Sequence, residues 1–359
     1  MSHANDDFLV LHEIVKAAKE SLSPEVWDYL IGGAETETTL KRNRQAIDSL
    51  AFRPRVLRDV SNVDCSTTLF GQKLRIPVFL APIGSLQDLE PGGGVTAARG
   101  ANGFGTACML SSRTEPGLEA VAEASDGPNI YQLYVRGDRA WVDDHIRRAK
   151  DAGYFALALT VDLDHYGRRE RDLAKRHVTT ARQNVTGDDY QMTFRWDDVK
   201  RLKDTHDIPM ILKGIATAED AGVALEHGID GIYVSNHGGR QLDHGRGGIE
   251  VLPEVVAEVQ GRAAVMVDGG FARGTDIVKA IILGADAVGI GRMFGCGIAA
   301  DGSAGVARVL ELLENEIRTC LGLLGVASFN ELDGTYVKAA PAVVTPHATS
   351  AFPLLDEGY

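Results

Sequence analysis

His237 and Arg240 lie three residues apart in the run Ser235-Asn236-His237-Gly238-Gly239-Arg240-Gln241-Leu242-Asp243. Imidazole changes charge near neutral pH, so it can take or give a proton. Guanidinium keeps its charge and grips a carboxylate or phosphate through two parallel hydrogen bonds. The two glycines between them permit turns closed to other residues and a close approach to a ligand. The apolar run 231–234 just before reads as a buried strand, so base and cation stand where a strand empties into a loop. Such a loop can offer a base and an anion clamp to one small molecule.

Other apolar runs end in polar residues too. Gln132 and Tyr134 close the run 130–135, Thr160 and Asp162 the run 155–161, and Lys213-Gly214 the run 210–212. Asp268-Gly269-Gly270 follows the run 263–267, and Gly291-Arg292 the run 287–290. Singly, each has a bland explanation: a solvated lysine, a structural histidine, an ordinary tight turn. Six consecutive runs ending this way are hard to explain by solubility alone. The last two favour a phosphate, since their glycines free backbone N–H groups to face an anion and Arg292 adds a bidentate charge. With no Walker loop or zinc motif, that points to a phosphorylated cofactor or substrate.

The elements that must position these residues follow from periodicity. Eight short apolar runs recur, at 78–81, 106–110, 130–135, 155–161, 210–212, 231–234, 263–267 and 287–290. Segments of helical spacing separate most of them, such as 141–152, 218–227 and 273–283. Continuous apolar strands alternating with amphipathic helices imply parallel strands buried on both faces. Eight such units predict a (β/α)8 TIM barrel over about residues 76–300, with an open doubly wound sheet as the alternative. Barrel enzymes build their chemistry at the C-terminal rim, where these polar residues fall. Helices are predicted ahead of the barrel at 9–22 and 24–31, and after it at 306–324, followed by a weakly structured tail over 340–359. The interval between the fourth and fifth runs is about twice the usual length, and its charged excess, 164–195, is predicted to be a lid loop. The whole chain, 1–359, reads as a single domain.

The net charge of -13 argues against a nucleic-acid partner, whose binding is dominated by phosphate neutralisation. Cys65, Cys108, Cys296 and Cys320 are scattered, with no CxxC pair, which disfavours a metal site and a disulfide framework. Residues 1–10 carry Asp6 and Asp7 without a basic-then-apolar signal, and no apolar stretch approaches the roughly 20 residues that span a bilayer. A cytoplasmic protein without membrane insertion is expected.

The chain resembles the FMN-dependent 2-hydroxy-acid oxidases and dehydrogenases, the glycolate oxidase, lactate oxidase and mandelate dehydrogenase group. The likeness spans about residues 10–327. It rests on Asp28-Tyr29, Gly33-Ala34-Glu35, Phe52-Arg53-Pro54-Arg55, Ala81-Pro82, Gln132-Leu133-Tyr134 and Thr160-Val161-Asp162 with Arg168-Arg169-Glu170. Lys213-Gly214, the run from Ser235 to Asp243, and Asp268-Gly269-Gly270 complete the set. The resemblance implies that His237 is the base and that Asp162 supports its imidazolium. Arg240 and Tyr29 would hold the substrate carboxylate, with Arg169 assisting, and Tyr134 would bond the substrate hydroxyl. Lys213 would stabilise reduced FMN. Ser111, Gln132, Thr160 and Ser235 would contact the flavin ring, with Pro82, Ile83 and Gly84 along it. Asp268 would take the ribityl hydroxyls, and Gly269, Gly270, Arg273, Gly291 and Arg292 the phosphate side.

The departures are specific. Ala272 stands where the family often has an arginine, so a phosphate contact is either missing or supplied by Arg273. Arg113 replaces a tryptophan near the substrate, and Gly84 is smaller than the usual alanine. The resemblance therefore implies a soluble, mandelate-type enzyme acting on a bulky (S)-2-hydroxy acid, with oxygen or a quinone as electron acceptor, and a homo-oligomer, by family a tetramer. A carbanion route in which His237 takes the α-proton uses the same residues. The competing reading is a non-redox phosphate-binding barrel, an isomerase or lyase.

Overall fold

The computed structural model describes residues 8–183 and 189–358. Its centre is a closed barrel of Val78–Leu80 (β1), Ala107–Ser111 (β2), Asn129–Leu133 (β3), Ala156–Thr160 (β4), Met210–Ile215 (β5), Gly231–Val234 (β6), Ala264–Val267 (β7) and Ala287–Ile290 (β8). Neighbours pair in parallel around the ring, and β8 returns to β1 through Val288 opposite Val78. The runs are continuously apolar because both faces are buried. Phe79, Met109, Ile130, Ile211, Tyr233 and Met266 fill the interior, while Leu80, Leu110, Leu157, Leu212, Ile232 and Val267 pack under the helices.

One end of the barrel is plugged. The antiparallel strands Thr67–Leu69 and Gln72–Leu74 send Leu69 and Leu74 into the interior cluster. A Cβ on Gly231, the first residue of β6, would stand 2.8 Å from the Phe70 ring, which places the plug at the strands' N-terminal ends. Chemistry is left to the C-terminal rim. There the register of β5 against β6 shifts between Lys213 and Ile215. Gly214 takes φ +114°, and a Cβ on it would meet that of Asp162 at 2.7 Å, so this bulge sets Lys213 beside Asp162.

Three helices precede the barrel: Leu11–Ser21 (α1), Pro24–Ile31 (α2) and Thr38–Asp48 (α3). The first two match expectation, and Ser23 caps α2 by accepting from the Val26 N–H. Helix α3 was not foreseen. Its buried face is Thr39, Leu40, Asn43, Arg44 and Ile47, a helical spacing in which polar residues hide the apolar signal. Arg44 makes the reason plain: it is buried against Asp276 at 2.7 Å, a charge inside the fold rather than on its face.

Two further elements depart from expectation. The post-barrel helix runs over Arg292–Leu324, broken at Asp301 and Gly302, and so begins directly at the rim after β8. The tail is not loose where it meets the barrel: Ser350 and Phe352 are buried, and a 3-10 turn follows at Pro353–Glu357. In the lid segment the short helices Glu170–Ala174, Thr180–Gln183 and Asp189–Thr193 form. Arg171 pins the first to Glu37 at 2.7 Å and Asp28 at 3.1 Å. Residues 184–188 of the expected lid, the acidic start at 1–7 and the last residue lie outside the described residues.

Candidate active site

A deep cavity opens at the C-terminal rim. Tyr29, Pro82, Ile83, Gly84, Arg113, Tyr134, Arg169, Lys213, His237, Arg240, Asp268, Gly269, Gly270, Gly291 and Arg292 all line it. His237 enters at φ +59°, an uncommon backbone state for a side-chain-bearing residue, and its N–H donates to Ser235 Oγ at 3.1 Å. That turn is braced from α3. Asn43 and Asn236 exchange side-chain hydrogen bonds at 2.7 and 2.9 Å. Asp243 accepts from the Thr39 N–H at 2.7 Å and from Thr36 Oγ1 at 2.6 Å, so the end of the loop caps the start of α3. Sequence reasoning missed these braces; the only signal was that both partners are side chains able to bond backbone.

His237 Nδ1 lies 3.1 Å from Asp162 Oδ1, and Nε2 lies 3.1 Å from the Tyr134 hydroxyl. Burial lowers the imidazole pKa below its ordinary value, and the Lys213 ammonium adds to this, while Asp162 opposes both. The ring is therefore neutral at neutral pH and able to accept a proton. Burial works to raise the Asp162 carboxyl, but His237 and Lys213 outweigh it, so Asp162 stays ionised. The pair is a base held in one orientation by a fixed charge.

The cavity's cations differ in their partners: Lys213 lies 3.8 Å from Asp268 and Arg44 is paired with Asp276. Among the described residues no ion pair reaches Arg169, Arg240 or Arg292. Arg240 Nη1 donates to the Gly32 carbonyl at 2.8 Å, and its guanidinium lies 5.0 Å from the Tyr29 ring centre. Arg292 donates to the Ile31 and Gly32 carbonyls. Burial, then repulsion from Arg240, pushes its pKa down to about 9. Arg240 is lowered by burial and then by Arg169, whose Nε has no hydrogen-bond partner among the described residues. Guanidiniums crowded this closely, two of them lowered by burial and by neighbouring cations, make a site that favours an anion.

Beneath the lining lie polar residues from the strand ends. Ser111, Gln132, Thr160 and Ser235 are buried and do not reach the cavity lining. Gln132 Nε2 donates to Thr160 Oγ1 at 2.8 Å, but its buried Oε1 has no hydrogen-bond partner among the described residues. Lys213 Nζ donates to Ser235 Oγ at 3.0 Å, and Ser235 in turn to Asp268 Oδ1 at 2.7 Å. Tyr29 lines the cavity beside Arg240, its hydroxyl donating to the Gly84 carbonyl at 2.7 Å. One assignment needs correction. Arg273 is not among the lining residues: Glu316 holds its guanidinium at 2.5 Å, because that carboxylate caps the next helix at Gly274.

The cavity suits a flavin mononucleotide. A Cβ on Gly291 would meet nothing within 4 Å, so open space lies against the backbone beside Arg292. Lys213 reaches the same lining, a cation able to offset the negative charge of a reduced ring. No group of three His, Cys, Asp or Glu residues able to hold a metal occurs among the described residues, and none of the described helices is long and apolar enough to cross a membrane. All four cysteines are free and buried.

A family model for FMN-dependent dehydrogenases matches residues 18–339. Glycolate oxidase 3 of Arabidopsis thaliana is 40% identical over 361 residues, covering 94% of this chain and 98% of its own. Spinach (Spinacia oleracea) glycolate oxidase is 39% identical, covering 92% and 95%. A crystal structure of mandelate oxidase with (S)-2-phenylpropionate superposes with a TM-score of 0.87 at 37% identity, covering 94% of this chain and 100% of that one. A mutant of the active chimera of (S)-mandelate dehydrogenase reaches 0.87 at 33% identity, covering 92% and 99%. The non-redox isomerase or lyase reading falls with these matches.

Proposed function

This chain belongs to the FMN-dependent dehydrogenase family and oxidises 2-hydroxy acids, and we propose that its substrate is an (S)-2-hydroxy acid with a bulky, mandelate-like side chain. The observation that carries the oxidation is the His237 imidazole, set between Asp162 and Tyr134 and facing a cavity in which, among the described residues, Arg169 and Arg240 have no ion pair. Arg240, with Arg169 beside it, binds the substrate carboxylate by two-pronged hydrogen bonding, and the carboxylate supplies these cations with a counter-charge. Tyr134 meets the substrate hydroxyl next to His237 Nε2. His237 takes the hydroxyl proton, and Asp162 stabilises the imidazolium that results. FMN, when bound, would supply the acceptor for the α-hydrogen and its two electrons. Lys213 would hold its ring edge, Asp268 its ribityl chain, and Gly270, Gly291 and Arg292 its phosphate.

Gly84 supports the bulky side chain. A Cβ there would stand 3.1 Å from Arg113 Cβ, so glycine keeps the passage between them open. Neighbours named mandelate oxidase and (S)-mandelate dehydrogenase point the same way, whereas the glycolate oxidase relatives favour a smaller acid. In this reading oxygen reoxidises the enzyme and yields hydrogen peroxide. An anaerobic panel of glycolate, lactate and mandelate, read by flavin bleaching, decides the substrate. Fastest bleaching by glycolate overturns the bulky assignment. His237→Ala should keep FMN and lose bleaching; unchanged bleaching removes His237 as the base. Reoxidation by a quinone but not by oxygen would make the enzyme a dehydrogenase.

A further inference from the structure

We propose that the C-terminal segment 347–352 forms part of the cofactor site, closing its phosphate end with polar contacts from His347 and Thr349. This rests on the assignment of Gly270, Gly291 and Arg292 to the phosphate.

The neighbouring loop leaves that end short of donors. After Gly270 come Phe271 and Ala272, which line the cavity without a polar side chain. Arg273, the next cation, is turned to Glu316. Its Nη1 instead donates to the Ala351 carbonyl at 3.4 Å, and its guanidinium lies 5.9 Å from the Phe352 ring centre. Arg273 thus anchors the tail beside the loop after β7 rather than reaching an anion itself.

The tail is built as a turn, not draped. Ser350 Oγ accepts from the His347 N–H at 3.1 Å and donates to the His347 carbonyl at 2.9 Å. The Phe352 N–H donates to the Thr349 carbonyl at 2.9 Å, and the Phe352 ring meets the buried His12 edge-on at 5.5 Å. With Phe352 and Ser350 buried as the two pegs, His347 and Thr349 are left to line the cavity together with Ala272 and Arg292. His347 Nδ1 accepts from the Thr349 N–H at 3.4 Å, which leaves the ring proton on Nε2. The Thr349 hydroxyl also lies 3.3 Å from His347 Nδ1, a contact it can exchange for an anion, so an N–H and a hydroxyl stand where the loop after β7 offers no side-chain donor. A phosphate monoester is the ligand that such donors complete.

The test uses the full-length chain stripped of flavin and compares FMN with riboflavin, which lacks the phosphate, by flavin fluorescence quenching. The double variant His347→Ala/Thr349→Val should bind FMN about 10-fold or more weakly, the scale of a hydrogen bond to a charged group, with riboflavin affinity unchanged. Adding Ala272→Arg to that variant, which places a cation on the lining, should recover FMN binding. Unchanged FMN affinity in the double variant overturns the proposal, as does an equal loss for FMN and riboflavin, which would make the tail a cover without phosphate contacts. Circular dichroism of each apoprotein separates misfolding from lost contacts, and the rescue arm decides if the double variant is unstable. Should the unaltered chain bind riboflavin as tightly as FMN, the phosphate assignment itself fails, a result distinct from failure of the tail alone.

Discussion

Asp162→Asn isolates one charge in the site while keeping its shape. The carboxylate lies 3.1 Å from His237 Nδ1 at closest approach, and the two charge centres are roughly 4 Å apart. At that separation, with an effective permittivity of about 20, an imidazolium–carboxylate pair is worth about 4 kcal/mol. Asparagine can still accept the Nδ1 proton through its amide oxygen, so the geometry survives and only the charge goes. If the proton is largely transferred in the transition state, flavin reduction should slow by between about 10²- and 10³-fold, since about 1.4 kcal/mol is tenfold in rate. The pH profile carries a second signature. Burial and Lys213 lower the His237 pKa, whereas Asp162 raises it. Removing Asp162 must therefore lower the imidazole pKa further, and the acid limb of kcat/KM should move to lower pH. Stopped-flow reduction under anaerobic conditions across pH reads both effects, and FMN absorbance in the resting enzyme checks that the cofactor is retained. A reduction rate within about threefold of the parent, or an acid limb displaced upward, would refute the charge argument.

Gly84→Ala should lower kcat/KM for mandelate relative to lactate by about 10-fold or more, because the new methyl stands 3.1 Å from Arg113 Cβ and narrows the passage for a large side chain; equal effects on both acids would count against the bulky pocket. Gly214→Ala forces a side chain into φ +114° and 2.7 Å from Asp162 Cβ, so we expect about 1–3 kcal/mol lost in urea unfolding together with slower flavin reduction. Arg44→Met strands the buried Asp276, and although the Ala272 and Arg273 N–H groups still bond that carboxylate, a loss of about 3 kcal/mol is expected in the same assay; a stable variant would show that the pair is dispensable.

The barrel was legible because its strands are buried on both faces, which leaves unbroken apolar runs that periodicity detects. The catalytic pair was legible for a related reason: Asp162 and His237 interrupt such runs at their ends, where a packing residue would be expected. Helix α3 was not, because a face that buries Asn43 and Arg44 reads as solvent-exposed until their partners Asn236 and Asp276 are known. The tail failed for the same reason in milder form. Its pegs Ser350 and Phe352 are isolated in sequence, and only the fold brings His12 and Arg273 to meet Phe352. Arg273 shows the limit of reading by position. Its type and place suggested a phosphate ligand, yet Glu316, more than forty residues away, decides where it points.

The electrostatics of the site also link binding to basicity. In the free enzyme, Arg169 is among the groups that lower the His237 pKa, and Arg240 and Arg292 are themselves lowered by burial and by neighbouring cations. A carboxylate bound to Arg240 and Arg169 adds one negative charge to this cluster. It cancels part of the field that Arg169 exerts on His237, and so raises the imidazole pKa once substrate is in place. The base is then weakest, and least prone to hold a proton from solvent, in the empty site, and strongest when its substrate has arrived. Since kcat/KM follows the free enzyme and kcat the complex, the acid limb of kcat should lie at higher pH than that of kcat/KM. Arg169→Leu should narrow the gap by raising the limb of kcat/KM. Coincident limbs in the parent enzyme, measured with mandelate under steady-state conditions, would mean that the carboxylate does not act on His237 through these arginines.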